Sequence, residues 1–389
     1  MSKLLKLGVS LLLLNSTCLY AADKMTSPPV EAHEQTDSWV DKLLNKLGAD
    51  GGFDDTKAID FSILPGPFYG PETSLGLGIS AIGLYQVDKQ DRQSQLSSAV
   101  INGFASVNGS LGVKLENRTF LSEDSWRFYF DGLISDSPEV YYGVGYPENH
   151  QDDNKIVYKN RQFSVAPLIL KRVASGTYLG AGFDVNYAKA RDINVEESKI
   201  DPSPLAKSNL AMGVKLQASY DTRDVLGNPY EGRLLQLDTG FYMPELGSQQ
   251  RFQSIELNYS EYMQMGPRNS VLAWQLRGRF THGNVPWHML SQVGGGSELR
   301  GYTAGRYRDK QMLMGQLEYR WDLPGRHGVV AWTGVGAVAP SVRGFNSSEL
   351  LPNVGIGYRF EVKTRANLRL DLGFGDGETG FYFNLNEAF

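Results

Sequence analysis

Cysteine is almost missing from this chain of 389 residues. The one cysteine, Cys18, lies in an N-terminal stretch with two early lysines, an apolar run from Leu7 to Leu14 and small residues at Ala21 and Ala22. The pattern predicts a secretory signal peptide over residues 1–22, because the apolar run is too short for a membrane-spanning helix. Cleavage after either alanine leaves a mature chain without cysteine, which excludes disulfides and thiol chemistry.

Long apolar runs and an excess of basic residues are also missing. No later stretch approaches the roughly 20 apolar residues of a spanning helix, and the mean hydropathy is −0.31. A helical membrane protein is therefore excluded, whereas a β-barrel is not, because its strands are apolar on one face only. The 38 Lys and Arg residues stand against 43 Asp and Glu residues, a balance that argues against a nucleic-acid partner.

Histidine is scarce, and the common catalytic motifs are not found. His282 and His288 lie near each other, but no further ligand has metal-site spacing. His282 and Ser291 are candidate residues for an outer-membrane lipase. Catalysis needs a base within reach of a nucleophile, and nothing in the sequence places the two side by side. The glycine-rich stretches at 76–81 and 334–339 lack the following helix that a dinucleotide site requires. We therefore predict no catalytic residue, no metal site and no cofactor, and hence no enzyme.

Residues 23–57 precede the first strand and contain one predicted amphipathic helix. Trp39, Leu43 and Leu47 share a face, polar residues at 36–38 provide the N-cap, and Gly48 ends the helix. Its apolar face would dock on a membrane, plug a pore, contact a partner or pack against its own protein, and the sequence leaves these open.

From residue 58 onward the apolar period is two. In "SVLAWQLRGRF", Leu272, Trp274 and Leu276 share one face, and the other face carries Gln275 and Arg277. Such alternation predicts half-buried strands. The polar faces repeatedly carry charges of both signs and the apolar faces carry aromatics near strand ends. This is typical of outer-membrane barrels, in which the charged face lines the lumen.

The predicted fold is all-β: a 16-stranded antiparallel transmembrane β-barrel over residues 58–389, preceded by the short helix. An even strand number suits a closed single-chain barrel. Short and long joins alternate, and the long ones span 135–155, 189–208 and 282–310 on the predicted outer side. The strands begin near Ile59, Ser74, Leu96, Ser110, Ser125, Val157, Thr177, Asn209, Arg233, Arg251, Val271, Gln311, Gly328, Asn353, Ala366 and Thr379.

The C-terminal sequence "ETGFYFNLNEAF" predicts the last strand. We expect Phe381, Phe383, Leu385 and Phe389 to share one face. Gly380, Phe383, Leu385 and Phe389 match the C-terminal signal that outer-membrane barrels present to their assembly machinery. That machinery is therefore a predicted partner.

Two motifs resemble a known family. "GGGSELRGYTAGRYRDK" (294–310), followed by a strand with "LEYRWDLPG", resembles the sixth outer loop and twelfth strand of the Omp85 superfamily. That superfamily includes the BamA and TamA assembly proteins and the bacterial surface antigen D15 barrel. "YDTRDVLGNPYEGRLLQLDTGF" (220–241) resembles a second family signature. The resemblance covers residues 59–389.

The resemblance implies that the sixth loop folds back into the lumen and is held there by Arg300. Glu318 on the twelfth strand is the implied partner of its guanidinium. Where family members often carry an aspartate on the thirteenth strand, this chain has Gly334, so Asp371 is a second candidate. The implied loop motif comprises Gly295, Gly296, Leu299, Arg300, Gly301 and Tyr302.

The N-terminus departs from the assembly proteins of the family, which carry periplasmic POTRA domains. The 35 residues from 23 to 57 are too few for one such domain, so we expect a barrel-only member. Pro65, Gly66 and Pro67 in the first strand suggest a weak lateral seam with the last strand, because proline removes ladder hydrogen bonds. Alternatively, these prolines only end a short strand.

The implied function is assistance in the assembly, insertion or translocation of outer-membrane components. The alternative is a passive or plugged outer-membrane pore with no insertase activity. Either function places the protein in the outer membrane of a Gram-negative bacterium. Its partners would then be outer-membrane lipids, lipopolysaccharide and possible protein or lipid clients.

Overall fold

A computed structural model describes residues 46–50, 52–70, 74–196, 198–266 and 269–389. The predicted signal peptide and the predicted helix up to residue 45 lie outside this part of the chain. In the described part, no helix has the length and apolar character to cross a membrane.

Sixteen antiparallel strands form a barrel, which confirms the predicted fold class and strand number. Each strand begins within two residues of its predicted start. The first half contains β1 (Asp60–Gly70), β2 (Ser74–Tyr85), β3 (Ser97–Ser106), β4 (Leu111–Leu121), β5 (Trp126–Tyr141), β6 (Ile156–Ala174), β7 (Thr177–Asn194) and β8 (Asn209–Asp221). The second half contains β9 (Gly232–Tyr242), β10 (Phe252–Met265), β11 (Ser270–Gly283), a separate hairpin of β12 (Ser291–Val293) and β13 (Tyr307–Asp309), then β14 (Gln311–Asp322), β15 (His327–Ala339), β16 (Leu351–Lys363), β17 (Ala366–Phe374) and β18 (Thr379–Leu385).

The two faces of each strand divide as the alternation predicts. On β14, Glu318 is buried towards the lumen, whereas Leu317 and Trp321 point outward with 43% and 48% of their surface exposed. Exposed apolar side chains form the outer wall around the barrel, where lipid replaces water. Buried charged residues such as Glu318 and Asp371 face inward, where ion pairs compensate their charges.

The long connectors, at 142–155, 195–208 and 284–310, pack together at one end of the barrel. Helix α1 (Tyr146–Asn149) lies in the first of these, and the Nε of Arg306 in the third donates to the carbonyl oxygen of Asn149 at 3.0 Å. Trp287 packs edge-on against Tyr158 with ring centroids 5.4 Å apart. This end of the barrel is therefore covered by packed loops.

The seam between β1 and β18 differs from the other strand pairs. Among the described residues it contains one residue pair, Tyr69 with Phe381, whereas β1 pairs with β2 along its whole length. The backbone N–H of Ile63 points to the seam side, because it donates to the Leu47 carbonyl oxygen at 2.8 Å rather than to β2. Since N–H directions alternate along a strand, the N–H groups lacking at residues 65 and 67 belong to this same edge.

The prolines therefore remove hydrogen-bond donors from the edge of β1 that faces β18. The edge that faces β2 keeps its full pairing. The alternative that Pro65 and Pro67 merely end a short strand is wrong, because β1 continues through both of them to Gly70.

Below the single pair, the two edges overlap instead of pairing. Phe383 is on the same face of β18 as Phe381 and Leu385. Its ring nevertheless lies against the lumenal side of Gly66 on β1, and a Cβ at Gly66 would be 2.3 Å from that ring. Leu385 packs in the same cluster as the inward-facing Leu64. Apolar contact thus replaces hydrogen bonding along this part of the seam.

Gly66→Ala should weaken the seam, because the new methyl group occupies the space of the Phe383 ring. We expect a loss of about 1–3 kcal/mol in the free energy of unfolding, as for other overpacked sites, measured by urea titration in detergent micelles. Gly103→Ala is the matched control, since its nearest neighbour would be 4.0 Å away. Phe383→Leu should restore part of the loss, and an additive double variant would contradict the contact.

Candidate functional site: the lumenal loop and the seam

The connector between β11 and β14, residues 284–310, enters the barrel and is called the lumenal loop. Its backbone lies directly on β17: a Cβ at Gly301 would be 2.6 Å from the carbonyl carbon of Phe374, and one at Gly373 would be 2.5 Å from the Arg300 carbonyl oxygen. Gly301 has φ +119°, a conformation that glycine adopts without strain. Its N–H donates to the Tyr382 hydroxyl at 3.0 Å.

Arg300 anchors this loop in the wall of the barrel. Its fully buried guanidinium donates to Asp371 on β17 at 2.7 Å and to Glu318 on β14. The same group lies 3.7 Å from the ring centroid of Trp332 on β15. The sequence named the two carboxylates as alternatives, and the structure places both against one guanidinium, a geometry that suits the planar donors of arginine.

Trp332 was missed by sequence reasoning. It stands opposite Glu318 on the neighbouring strand, and the absence of a side chain at Gly355 leaves room for its indole, since a Cβ there would be 2.1 Å from the ring. The sequence signal that could have identified Trp332 is its inward position two residues before Gly334. At the position of Gly334, family members often have an aspartate. Here the π face of the indole lies beside the cation instead.

Around Arg300, buried charges of both signs share partners. Glu318 also accepts from Arg320 at 3.0 Å, and Asp371 also accepts from Arg359 at 2.6 Å. Ions withdrawn from water need opposite charges close by, because an unpaired buried charge is strongly unfavourable. The other members of this network are Arg369, which lies 3.2 Å from Asp371, and Glu387, which lies 2.7 Å from Arg359.

The remaining residues of the predicted loop motif set the path of the backbone. Leu299 is fully buried at φ +44°, against Gly336 of β15. The Tyr302 hydroxyl donates to the Pro352 carbonyl oxygen at 2.7 Å. Gly295 has φ +105°, and its N–H donates to the Tyr302 carbonyl oxygen at 3.0 Å. Gly296 lines the top of a cavity.

That cavity, of about 790 Å³, occupies the lumen beside the seam. The lumenal loop forms its roof at Gly296, and Phe383 and Asn384 of β18 form one side. Lys114 and Glu116 of β4 contribute charges to its lining. An internal space therefore adjoins the weakest strand pair of the barrel.

The chain before β1 covers the seam edge that β18 leaves unpaired. We call residues 46–50 the edge segment. Besides the bond from Ile63 to Leu47, the Ser62 hydroxyl donates to the Gly48 carbonyl oxygen at 2.7 Å. Lys363 at the end of β16 is fully buried, with Asp50 at 2.7 Å and Asp60 at 2.6 Å from its Nζ. The edge segment thus bridges β1 and β16 across the base of the seam.

The prediction that the alternation of the last strand continues to Phe389 is wrong, although Phe389 lines the same lumenal cavity as Phe381, Phe383 and Leu385. The last strand ends at Leu385, and Asn386 at φ +63° redirects the backbone. Glu387 then meets Arg359, and the ring of Phe389 lies in the lumen, with the guanidinium of Arg320 5.3 Å from its centroid. Attraction to the lumenal arginines outweighs the alternation pattern here.

Among the other predicted signal residues, Gly380 is buried beside the ring of Tyr382. Phe383 and Leu385 pack on β1 as described above. Their role as a signal to assembly machinery stays a prediction.

Neither a lipase centre nor a metal site is built around the four described histidines, at positions 150, 282, 288 and 327. The buried hydroxyl of Ser291 lies 3.0–3.1 Å from the carbonyl oxygens of Arg279 and Lys310, so main-chain acceptors engage its proton. Burial lowers the pKa of His288 to about 4, which makes it a weak base. In the described part of the chain, no group of three His, Cys, Asp or Glu side chains is placed to hold a metal ion.

Gly48→Ala should release the edge segment, because Gly48 has φ +76° and a Cβ there would be 2.1 Å from the Phe61 carbonyl oxygen. We expect hydrogen–deuterium exchange of the Ile63 amide to become about fivefold faster or more, since a hydrogen bond contributes about 1 kcal/mol. Gly52→Ala is the control, with nothing within 4 Å of its new methyl group. Unchanged exchange in a folded Gly48→Ala barrel would show that the segment does not protect this edge.

Arg300→Ala should lower the free energy of unfolding by about 3–5 kcal/mol, as expected when one partner of a buried ion pair is removed. Urea titration of the barrel in micelles measures it. Arg300→Lys should recover only part, because an ammonium cannot reproduce the forked contact with two carboxylates. Arg251→Ala breaks an exposed pair with Glu245 and should cost at most about 1 kcal/mol. Equal losses for Arg300→Ala and Arg251→Ala would refute the anchor.

Comparison with known proteins agrees with this geometry. Among solved structures, BamA from Haemophilus ducreyi lacking POTRA domains 1–3 shares 14% identity, covers 84% of this chain and 69% of its own, and superposes with a TM-score of 0.51. Curated proteins gave no match. The Omp85 superfamily domain matches residues 74–389. A BamA-like barrel fold, a lumenal loop carrying the family motif and a domain match over most of the sequence lead to one conclusion: the chain belongs to the Omp85 superfamily.

Proposed function

We propose that the protein is an outer-membrane barrel that assists the assembly, insertion or translocation of other outer-membrane components through its β1–β18 seam. The observation that supports this most is that β1 and β18 share a single residue pair in the part of the chain that the structure describes. The neighbouring β17–β18 pair, which is the next shortest, already has seven. Opening the barrel at the seam therefore breaks fewer backbone hydrogen bonds than opening it elsewhere.

The lumenal loop would keep one side of the seam fixed while the other side moves. Its anchoring contacts fall on β14 through Glu318, on β17 through Asp371 and on β18 through Tyr382. These contacts tie the C-terminal strands into one packed unit with the loop. The β1 side, which meets β18 mainly through side-chain packing, is then the side that separates.

A separated β1 presents an unpaired strand edge, which is a template for pairing with an incoming extended segment. In the closed barrel the edge segment occupies part of that edge through the bond between Leu47 and Ile63. An incoming strand must displace it. The cavity beside the seam provides space on the lumenal side for such a segment.

The protein's location and partners follow from the same proposal. The outward apolar side chains of the barrel meet outer-membrane lipids and lipopolysaccharide. The assembly machinery for barrels would insert this chain, and its clients would be outer-membrane proteins or lipids. The proposed organisation is a signal peptide over 1–22, a periplasmic segment over 23–57 and the barrel over 58–389.

One observation favours the alternative, a plugged pore: the lumenal loop roofs the cavity below it. The two functions differ in the effect of Arg300→Ala. A pore predicts larger single-channel conductance for the variant and an unchanged outer-membrane proteome in cells. An assembly role predicts altered levels of other barrels.

A disulfide across the seam tests the proposed function directly. Tyr69→Cys with Phe381→Cys places two cysteines at the one paired position, and oxidation should abolish complementation of a deletion strain, scored by its outer-membrane proteome and lipid profile. Reduction should restore it. Leu77→Cys with Ala105→Cys joins β2 to β3 at a paired position and should complement in either redox state. Full complementation by the oxidised seam variant would exclude a function that requires seam opening.

A further inference from the structure

Basic side chains face each other on the outer surface of β6 and β7, near the end covered by the long connectors. Lys159 is directly opposite Arg191, and Arg161 is directly opposite Lys189. Their neighbours Tyr158, Asn160 and Ala188 are buried, so the four basic residues point away from the lumen. We call these four residues the basic rows.

Like charges opposite each other on adjacent strands destabilise a sheet. Two carboxylates offset part of this: Asp136 on β5 lies 3.3 Å from Arg161 and also binds Arg191, and Asp192 lies 3.8 Å from Lys159. Four cations against two carboxylates leave an excess of two positive charges. In the described part of the chain, Lys189 has no ion-pair or hydrogen-bond partner.

The side chains also keep room for a ligand. Lys159 and Arg161 retain 42% and 58% of their side-chain surface. Arg161 makes one long hydrogen bond, 3.3 Å to Asp136, so most of its five donors are unused. The unused donors suit an anion that accepts several hydrogen bonds from guanidinium and ammonium groups.

The outward residue pairs that follow the basic rows along β6 and β7 indicate the kind of anion. The next outward pair is aromatic, Phe163 opposite Tyr187, and the pair after that is aliphatic, Val165 opposite Val185. Successive rows lie about 7 Å apart, since a strand rises about 3.3 Å per residue. From the long-connector end towards the middle of the barrel, the rows are therefore charged, aromatic and aliphatic. This order matches the headgroup, interface and acyl-chain layers of a membrane leaflet.

We propose that the basic rows bind the phosphate group of a membrane lipid, with its acyl chains against the aromatic and aliphatic rows. Arginine suits this chemistry because its planar donors match phosphate oxygens in pairs. The long-connector end is the outer side in the proposed orientation, so the ligand is a phosphorylated glycolipid of the outer leaflet. The proposal does not depend on whether the seam opens.

Binding of phosphorylated lipid A to the whole barrel in detergent micelles tests this site. Arg161→Gln with Lys189→Gln should weaken binding about 30-fold, since each basic residue near a membrane surface contributes roughly fivefold. Lys171→Gln, at the opposite end of β6 where the side chain lies over Trp126, is the matched control and should leave binding unchanged. Equal affinity of the double variant and the unaltered protein would overturn the site.

A variant that should bind lipid A more tightly separates a specific loss of binding from a loss caused by misfolding. Asp136→Asn removes the carboxylate that occupies Arg161 and Arg191 and should tighten binding roughly fivefold. Weaker or unchanged binding by this variant would contradict the proposal.

Two further ligands identify the source of the phosphate. Dephosphorylated lipid A should bind to the unaltered protein no better than phosphorylated lipid A binds to the double variant. Inorganic phosphate alone should compete weakly, because it lacks the chains that meet Phe163 and Tyr187. Complete displacement of the lipid by an equal concentration of inorganic phosphate would assign the site to free phosphate and overturn the lipid assignment.

Discussion

The backbone of a transmembrane sheet must satisfy its own hydrogen bonds, because lipid offers none, and one edge of this barrel cannot do so. Pro65 and Pro67 remove N–H groups from the edge of β1 that faces β18. The seam is therefore closed by other means: one residue pair, the ring of Phe383 against Gly66, and the edge segment bonded to Ile63. Each is weaker than a continuous ladder, so the seam has the fewest backbone hydrogen bonds among the described strand boundaries of the barrel.

The lumenal loop has the opposite character, since it is held by buried charge. Arg300 reaches two carboxylates and an indole, and the carboxylates are shared with Arg320 and Arg359. Such a network depends on completeness, because any unpaired member is costly away from water. The barrel thus combines a packed group of C-terminal strands with a first strand that is hydrogen-bonded along its whole length on one side only. This difference between the two sides of the seam is what the proposed function uses.

Local patterns predicted the fold closely. Sixteen strands with starts accurate to two residues follow from a period of two, because every strand has one lipid-facing and one lumenal side. The seam was also visible, since proline removes a backbone N–H donor wherever it occurs. The end of the chain was not: alternation extended the last strand to Phe389, whereas the strand ends at Leu385, Asn386 turns the backbone and Glu387 pairs with Arg359. Alternation describes a strand only while the strand continues.

The sequence by itself determined the fold class and the position of the long loop between the eleventh and twelfth strands of the barrel, because these rest on periodicity. Arg300 as the anchor of that loop was implied by the resemblance of its motif to the Omp85 family. The tertiary structure alone decided that Glu318 and Asp371 act together, that Trp332 lies beside them, and that the edge segment returns to β1. It also paired the basic residues of β6 and β7 row by row. These contacts join residues far apart in the chain, and their partners are set by strand register and barrel closure, which no local pattern specifies.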